Sequence, residues 1–89
     1  MAWTIDFSDD AKKEFAKLDK PVQNRINKYL TERIEGCKNP RHFGEGLTAN
    51  LAGLWRYRVG DYRIICQIED TIVTVLVLSI GHRSIAYNT

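Results

Sequence analysis

Apolar and polar residues alternate over 3–7, with Trp3, Ile5 and Phe7 on one side, the period-two pattern of a strand. The period then changes. Ser8 stands where a helix cap is needed, Asp9 and Asp10 follow in the first turn, where the helix dipole favours negative charge, and Ala11, Phe15 and Leu18 recur at helical spacing. Asp19, Lys20 and Pro21 interrupt this helix and open a second, with Pro21 at its first position. Val22, Ile26, Tyr29, Leu30 and Ile34 form the second apolar stripe, and Gly36 ends it. So short a break predicts an antiparallel helix hairpin. Residues 36–53 carry Gly36, Pro40, Gly44, Gly46 and Gly53 and read as a loop, anchored by Leu47 and Leu51. Three more strands are predicted over 54–59, 62–69 and 72–80, joined by a two-residue turn at Gly60-Asp61 and a second turn at Glu69-Asp70-Thr71. This order predicts an α+β fold. The N-terminal strand and the helix hairpin pack on a mostly antiparallel four-stranded sheet, in a single domain over 1–89.

The turn at Gly60-Asp61 sets a register. It pairs Val59 with Tyr62, Arg58 with Arg63, Tyr57 with Ile64 and Arg56 with Ile65. Trp55, Tyr57, Val59, Tyr62, Ile64, Cys66 and Ile68 then face the helices. Arg58 and Arg63 become cross-strand neighbours, about 5 Å apart at Cβ, with Arg56 two residues along the same face. Like charges directly opposite are unfavourable. Such a face is either a solvated surface with its long side chains spread apart or an anion site, because guanidinium forks grip phosphate through paired hydrogen bonds.

Charge distribution sharpens this choice. The 89 residues carry a formal net charge of +2. The first 35 are balanced, whereas 36–63 hold Lys38, Arg41, Arg56, Arg58 and Arg63 against Glu45 and Asp61. The composition, 44% hydrophobic and 27% charged, is that of a globular domain and excludes a disordered chain. No apolar run is long enough to span a bilayer, so no membrane association is expected. No basic segment leads into an apolar one at the N-terminus, so a cytoplasmic location is expected. Cys37 and Cys66 form no C-x-x-C pair, and both are read as thiols.

A second cluster follows the last strand. Gly81 permits a change of direction, and His82, Arg83 and Tyr87 then crowd together. The segment is either an ordinary fraying tail or a source of proton-handling and base-stacking groups. Elimination narrows the chemistry. After residue 36 the acids are Glu45, Asp61, Glu69 and Asp70, which form no carboxylate cluster for a two-metal nuclease. Gly44-Glu45-Gly46 is too short for a phosphate loop, and neither Ser nor Cys has an adjacent base motif. No metal or cofactor is expected. What remains is a set of arginines, one His and one Tyr, suited to cleaving a phosphodiester with the RNA's own 2′-hydroxyl as nucleophile.

The segments Asn39-Pro40-Arg41-His42-Phe43, the run from Leu51 to Ile64 and Ile80-Gly81-His82-Arg83 with Tyr87 resemble the RelE family of bacterial toxins, within the RelE/ParE superfamily. The likeness covers nearly the whole chain. It implies cleavage of messenger RNA in the ribosomal A site, silencing by a cognate antitoxin, and contact with operator DNA only through that antitoxin. Carried over by residue, the resemblance implies that Arg56 and Arg58 lie beside the scissile phosphate, Arg63 clamps it, Arg83 stabilises the leaving group and Tyr87 stacks on the substrate base. His82 sits beside them as an RNA-binding position. Two departures stand out. Relatives carry lysines at 56 and 58, one of them proposed as the general base, whereas arginine stays protonated. The base is then Tyr87, His82 or a ribosomal group. Two residues follow Tyr87 in this sequence, so the C-terminal helix of some relatives is expected to be missing.

Two other functions share this fold. One is a ParE-like inhibitor of DNA gyrase, whose branch generally lacks the Arg63, Arg83 and Tyr87 set. The other is a catalytically weak paralogue that works mainly inside an antitoxin–operator complex.

Overall fold

The computed structural model describes residues 2–82, so Arg83 and Tyr87 lie outside the described residues. Ser8 ends strand β1 (Thr4–Phe7) and begins helix α1 (Asp9–Ala16). Its hydroxyl accepts from the Ala11 N–H at 3.1 Å and donates to the Leu78 carbonyl at 3.1 Å, so one side chain caps the helix and ties it to the sheet. Helix α2 (Lys20–Tyr29) starts with Pro21 in its first turn. Its stripe does not stay α-helical to Gly36. Leu30–Ile34 form one π-helical turn, closed by the Glu35 N–H on the Leu30 carbonyl at 2.8 Å, and this wider turn still buries Leu30 and Ile34.

The sheet has five strands in the order β1-β5-β4-β3-β2, not the four expected. The extra strand, β2 (Glu45–Gly46), lies inside the predicted loop and pairs antiparallel with β3 (Trp55–Val59). Two residues are too few to show an alternating pattern, which is why the sequence does not reveal it. Strands β4 (Tyr62–Glu69) and β5 (Thr74–His82) complete the meander. β1 lies parallel to β5, with Thr4 opposite Thr74 and Phe7 opposite Val77, and the other pairs are antiparallel. The helices cover one face. Ile26, Leu30 and Ile34 meet Tyr57, Ile64, Cys66, Val75 and Val77 there.

β1 stops opposite Val77, which leaves the next part of β5 without a strand on that side. A carboxylate from α1 takes the place of that strand: the Ile80 N–H donates to Glu14 Oε1 at 2.9 Å. On the far side, the loop after α2 is fastened to the core by Tyr57, whose buried hydroxyl donates to the Pro40 carbonyl at 2.7 Å. Burial also pushes the Tyr57 phenol well above its ordinary pKa, so it stays a donor. Arg41 grips Asp70 with two hydrogen bonds of 2.9 Å, linking the same loop to the β4–β5 turn. Among the described residues no helix is long and apolar enough to cross a membrane.

Tyr57→Phe removes one buried hydroxyl and strands the Pro40 carbonyl. Urea unfolding should show a loss of about 1.5 kcal/mol. No loss would mean that the loop is held by its other contacts alone.

Candidate phosphate-binding face

The face opposite the helices is built by the β3–β4 hairpin. Gly60 adopts φ +59 at the turn, a left-handed conformation that suits glycine. The expected register follows, with Arg58 opposite Arg63 and Arg56 opposite Ile65. Tyr57, Val59, Ile64 and Cys66 are buried on the helix side, so a slip by one residue would turn this apolar set into water. Burial of the apolar side therefore holds the two like charges together.

The three arginines have different surroundings. Arg58 is exposed. Arg63 is half-buried, and its Nε is buried with no hydrogen-bond partner among the described residues. A cation held partly out of water without an acid is poised for an incoming anion. Arg56 differs: it pairs with Glu45 across the β2–β3 ladder. The hydrogen bond from Arg56 is the main reason the Glu45 carboxyl lies below its ordinary pKa, with Arg58 and Arg63 adding to the effect through space. Among the described residues neither Arg58 nor Arg63 has such an acidic partner.

Gly44 explains how Glu45 comes to lie there. Its φ is +74, and a side chain at this position would run into the Arg56 carbonyl and the rings of Trp55 and Tyr57. The loop thus lies flat on β3, and Trp55 Nε1 donates to the Phe43 carbonyl at 2.7 Å just before it. In the sequence Gly44-Glu45-Gly46 reads as part of the 36–53 loop and is too short for a phosphate loop. The flanking glycines were the available sign of a close backbone approach.

His82 is not brought onto the arginine face. It pairs with Tyr62, on the helix side of the sheet, and the two rings stand edge to face with centroids 5.2 Å apart. Gly81 is the residue opposite Arg63. The hairpin tip gains a cation that the sequence did not suggest, because the Arg25 guanidinium of α2 lies against Gly60. Beside the arginines, Leu51, Leu54, Ile65 and Leu78 floor an open hollow of about 440 Å³, walled by the charged side of α1.

The comparisons with known proteins agree with this architecture. The family model for the ParE toxin of the type II toxin–antitoxin system parDE matches residues 5–87. The mRNA interferase toxin RelE of Escherichia coli K12 is 35% identical over 89 residues, covering 93% of this chain and 85% of that one. Toxin RelG of Mycobacterium tuberculosis is 28% identical over 87 residues, 98% of each chain. Among solved structures, a chain of the M. tuberculosis RelBE2 toxin–antitoxin complex superposes with a TM-score of 0.84 at 26% identity, covering 93% of this chain and all (100%) of that one. The isolated E. coli RelE toxin gives 0.75 at 28% identity, covering 99% and 88%. Fold and family together define a toxin of a type II toxin–antitoxin system. Within that class the chain belongs to the RelE family.

Gly44→Ala combines a left-handed backbone with a collision and should cost about 3 kcal/mol in urea unfolding. Gly53→Ala, at φ +94 but with open space around it, should cost about 1 kcal/mol. Equal losses would show that the Gly44 contact with β3 is not what constrains this loop.

Proposed function

We propose that this toxin is a ribosome-dependent, metal-independent endoribonuclease that cuts messenger RNA in the A site and so stops translation. The observation that carries this reading is the pair Arg58 and Arg63, held face to face on an open sheet surface with no described acid to neutralise either. Relatives named as mRNA interferases, matched over 85% of their length, support the reaction class.

Arg56, Arg58 and Arg63 hold the scissile phosphate, and guanidinium groups stabilise the charge that builds on its oxygens. The 2′-hydroxyl gives its proton to Tyr87, His82 or a ribosomal group, its oxygen attacks phosphorus in line, and the 5′-oxygen leaves and takes up a proton from that base or water, giving a 2′,3′-cyclic phosphate and a 5′-hydroxyl. Arg83 supports the departing oxygen, Tyr87 orients the base, and His82 contributes to RNA binding from the strand end, in keeping with the family resemblance. Arginine neither gives nor takes protons at working pH, so the groups on this face bind and stabilise more than they shuttle protons. Positioning supplied by the ribosome makes up the difference. A cognate antitoxin is the second partner, since related toxins were solved in complex with RelB. The apolar hollow beside the arginines suits an amphipathic segment of such a partner, which would also cover the basic face.

Mapping cuts on ribosomes programmed with a defined message tests the reaction. Cleavage should fall in the A-site codon, be weak on naked RNA, and drop about 100-fold in Arg63→Ala. Equal cutting of naked RNA would sink the ribosome dependence. Double-strand DNA breaks after induction, with messenger intact, would favour gyrase inhibition instead.

A further inference from the structure

The ion pair between Glu45 and Arg56 stands on the face that the proposed function assigns to phosphate. Several contacts hold it there. Gly44 lets the backbone lie against β3, Trp55 grips the Phe43 carbonyl at 2.7 Å before it, and the Leu47 N–H bonds the Leu54 carbonyl at 3.0 Å after it. The residue between is placed squarely opposite Arg56. A carboxylate offers a guanidinium the same two-oxygen geometry as a phosphodiester. Glu45 is exposed, so its ion pair is open to solvent and salt and exchanges readily for a better anion.

We infer that Glu45 is a built-in competitor for RNA, occupying Arg56 in the free toxin until a presented phosphate displaces it. The inference rests on the reading of this face as a phosphate site. On this face the free protein then meets RNA with two arginines that no described acid pairs and a third already engaged by a carboxylate whose field also reaches Arg58 and Arg63. Loose RNA, which must bring its own binding energy, is disfavoured. A message fixed in place by a large assembly arrives with its positioning already supplied and displaces the carboxylate. The contact is a repulsive element that selects for a presented substrate over a free one.

The test measures binding of a short 2′-O-methyl RNA, which cannot be cleaved, by the full chain, so that turnover plays no part. Freeing one cation adds one phosphate contact. Glu45→Gln should therefore bind about fivefold tighter at ~0.1 M salt, with a salt dependence steeper by about 0.7 in log–log slope. Glu45→Thr, a good strand former, should do the same, and circular dichroism establishes that both variants fold. Arg56→Gln should weaken binding more in the Glu45→Gln background than in the wild type. Unchanged or weaker binding in both Glu45 variants, or an Arg56→Gln loss of the same size in either background, would overturn the inference. Arg63→Ala separates the two ideas. If it leaves RNA binding untouched, the phosphate reading itself falls and takes the competitor with it. If it weakens binding while Glu45→Gln does not strengthen it, only the competitor falls.

Discussion

Arg58 and Arg63 face each other across the β3–β4 ladder, an arrangement that repels wherever it is not compensated. The compensation comes from the other side of the same two strands. Tyr57, Val59, Ile64 and Cys66 are buried beneath the helices, and their burial outweighs the repulsion of two exposed or half-exposed cations in water. Because side chains alternate, the core cannot keep this register without presenting the arginines together. The basic face is thus a consequence of core packing, and the apolar stripe of the second helix, on the other face of the sheet, is what keeps the arginines paired.

Much of this was legible in the chain because it is local and periodic. The hairpin could be read because alternation on both sides of Gly60-Asp61 leaves a single register that buries the aromatic and branched residues. The helix hairpin could be read because a cap, a proline and two apolar stripes agree. Other features depend on contacts between distant segments. β2 is two residues long, so no pattern marks it, and the sheet gained a fifth strand. The π-helical turn at Leu30–Ile34 keeps the same apolar residues inward and leaves no trace in their spacing. The parallel partner of β1 is set by how the hairpin crosses the sheet, which sequence left open. His82 stands next to Arg83 in the chain, but pairing with Tyr62 puts it on the side of the sheet away from Arg58 and Arg63.

Two ion pairs show how context decides what a salt bridge does. Arg41 and Asp70 join a loop to a turn. Arg56 and Glu45 lie among further arginines, so the same chemistry changes what the face offers an approaching anion. Loop 36–53, which the sequence suggests only as a connection, supplies the acid of one pair and the cation of the other: it brings Glu45 to Arg56, and it is moored by Arg41 on Asp70 and by Tyr57 on the Pro40 carbonyl.

The hydrogen bond from the Ile80 amide to Glu14 joins a helix to the last stretch of β5. That amide has no strand neighbour to hold it, so its anchorage is a single side chain on α1. A load placed on this helix is therefore passed to the end of β5, next to Gly81 and its cross-strand neighbour Arg63, through that one bond.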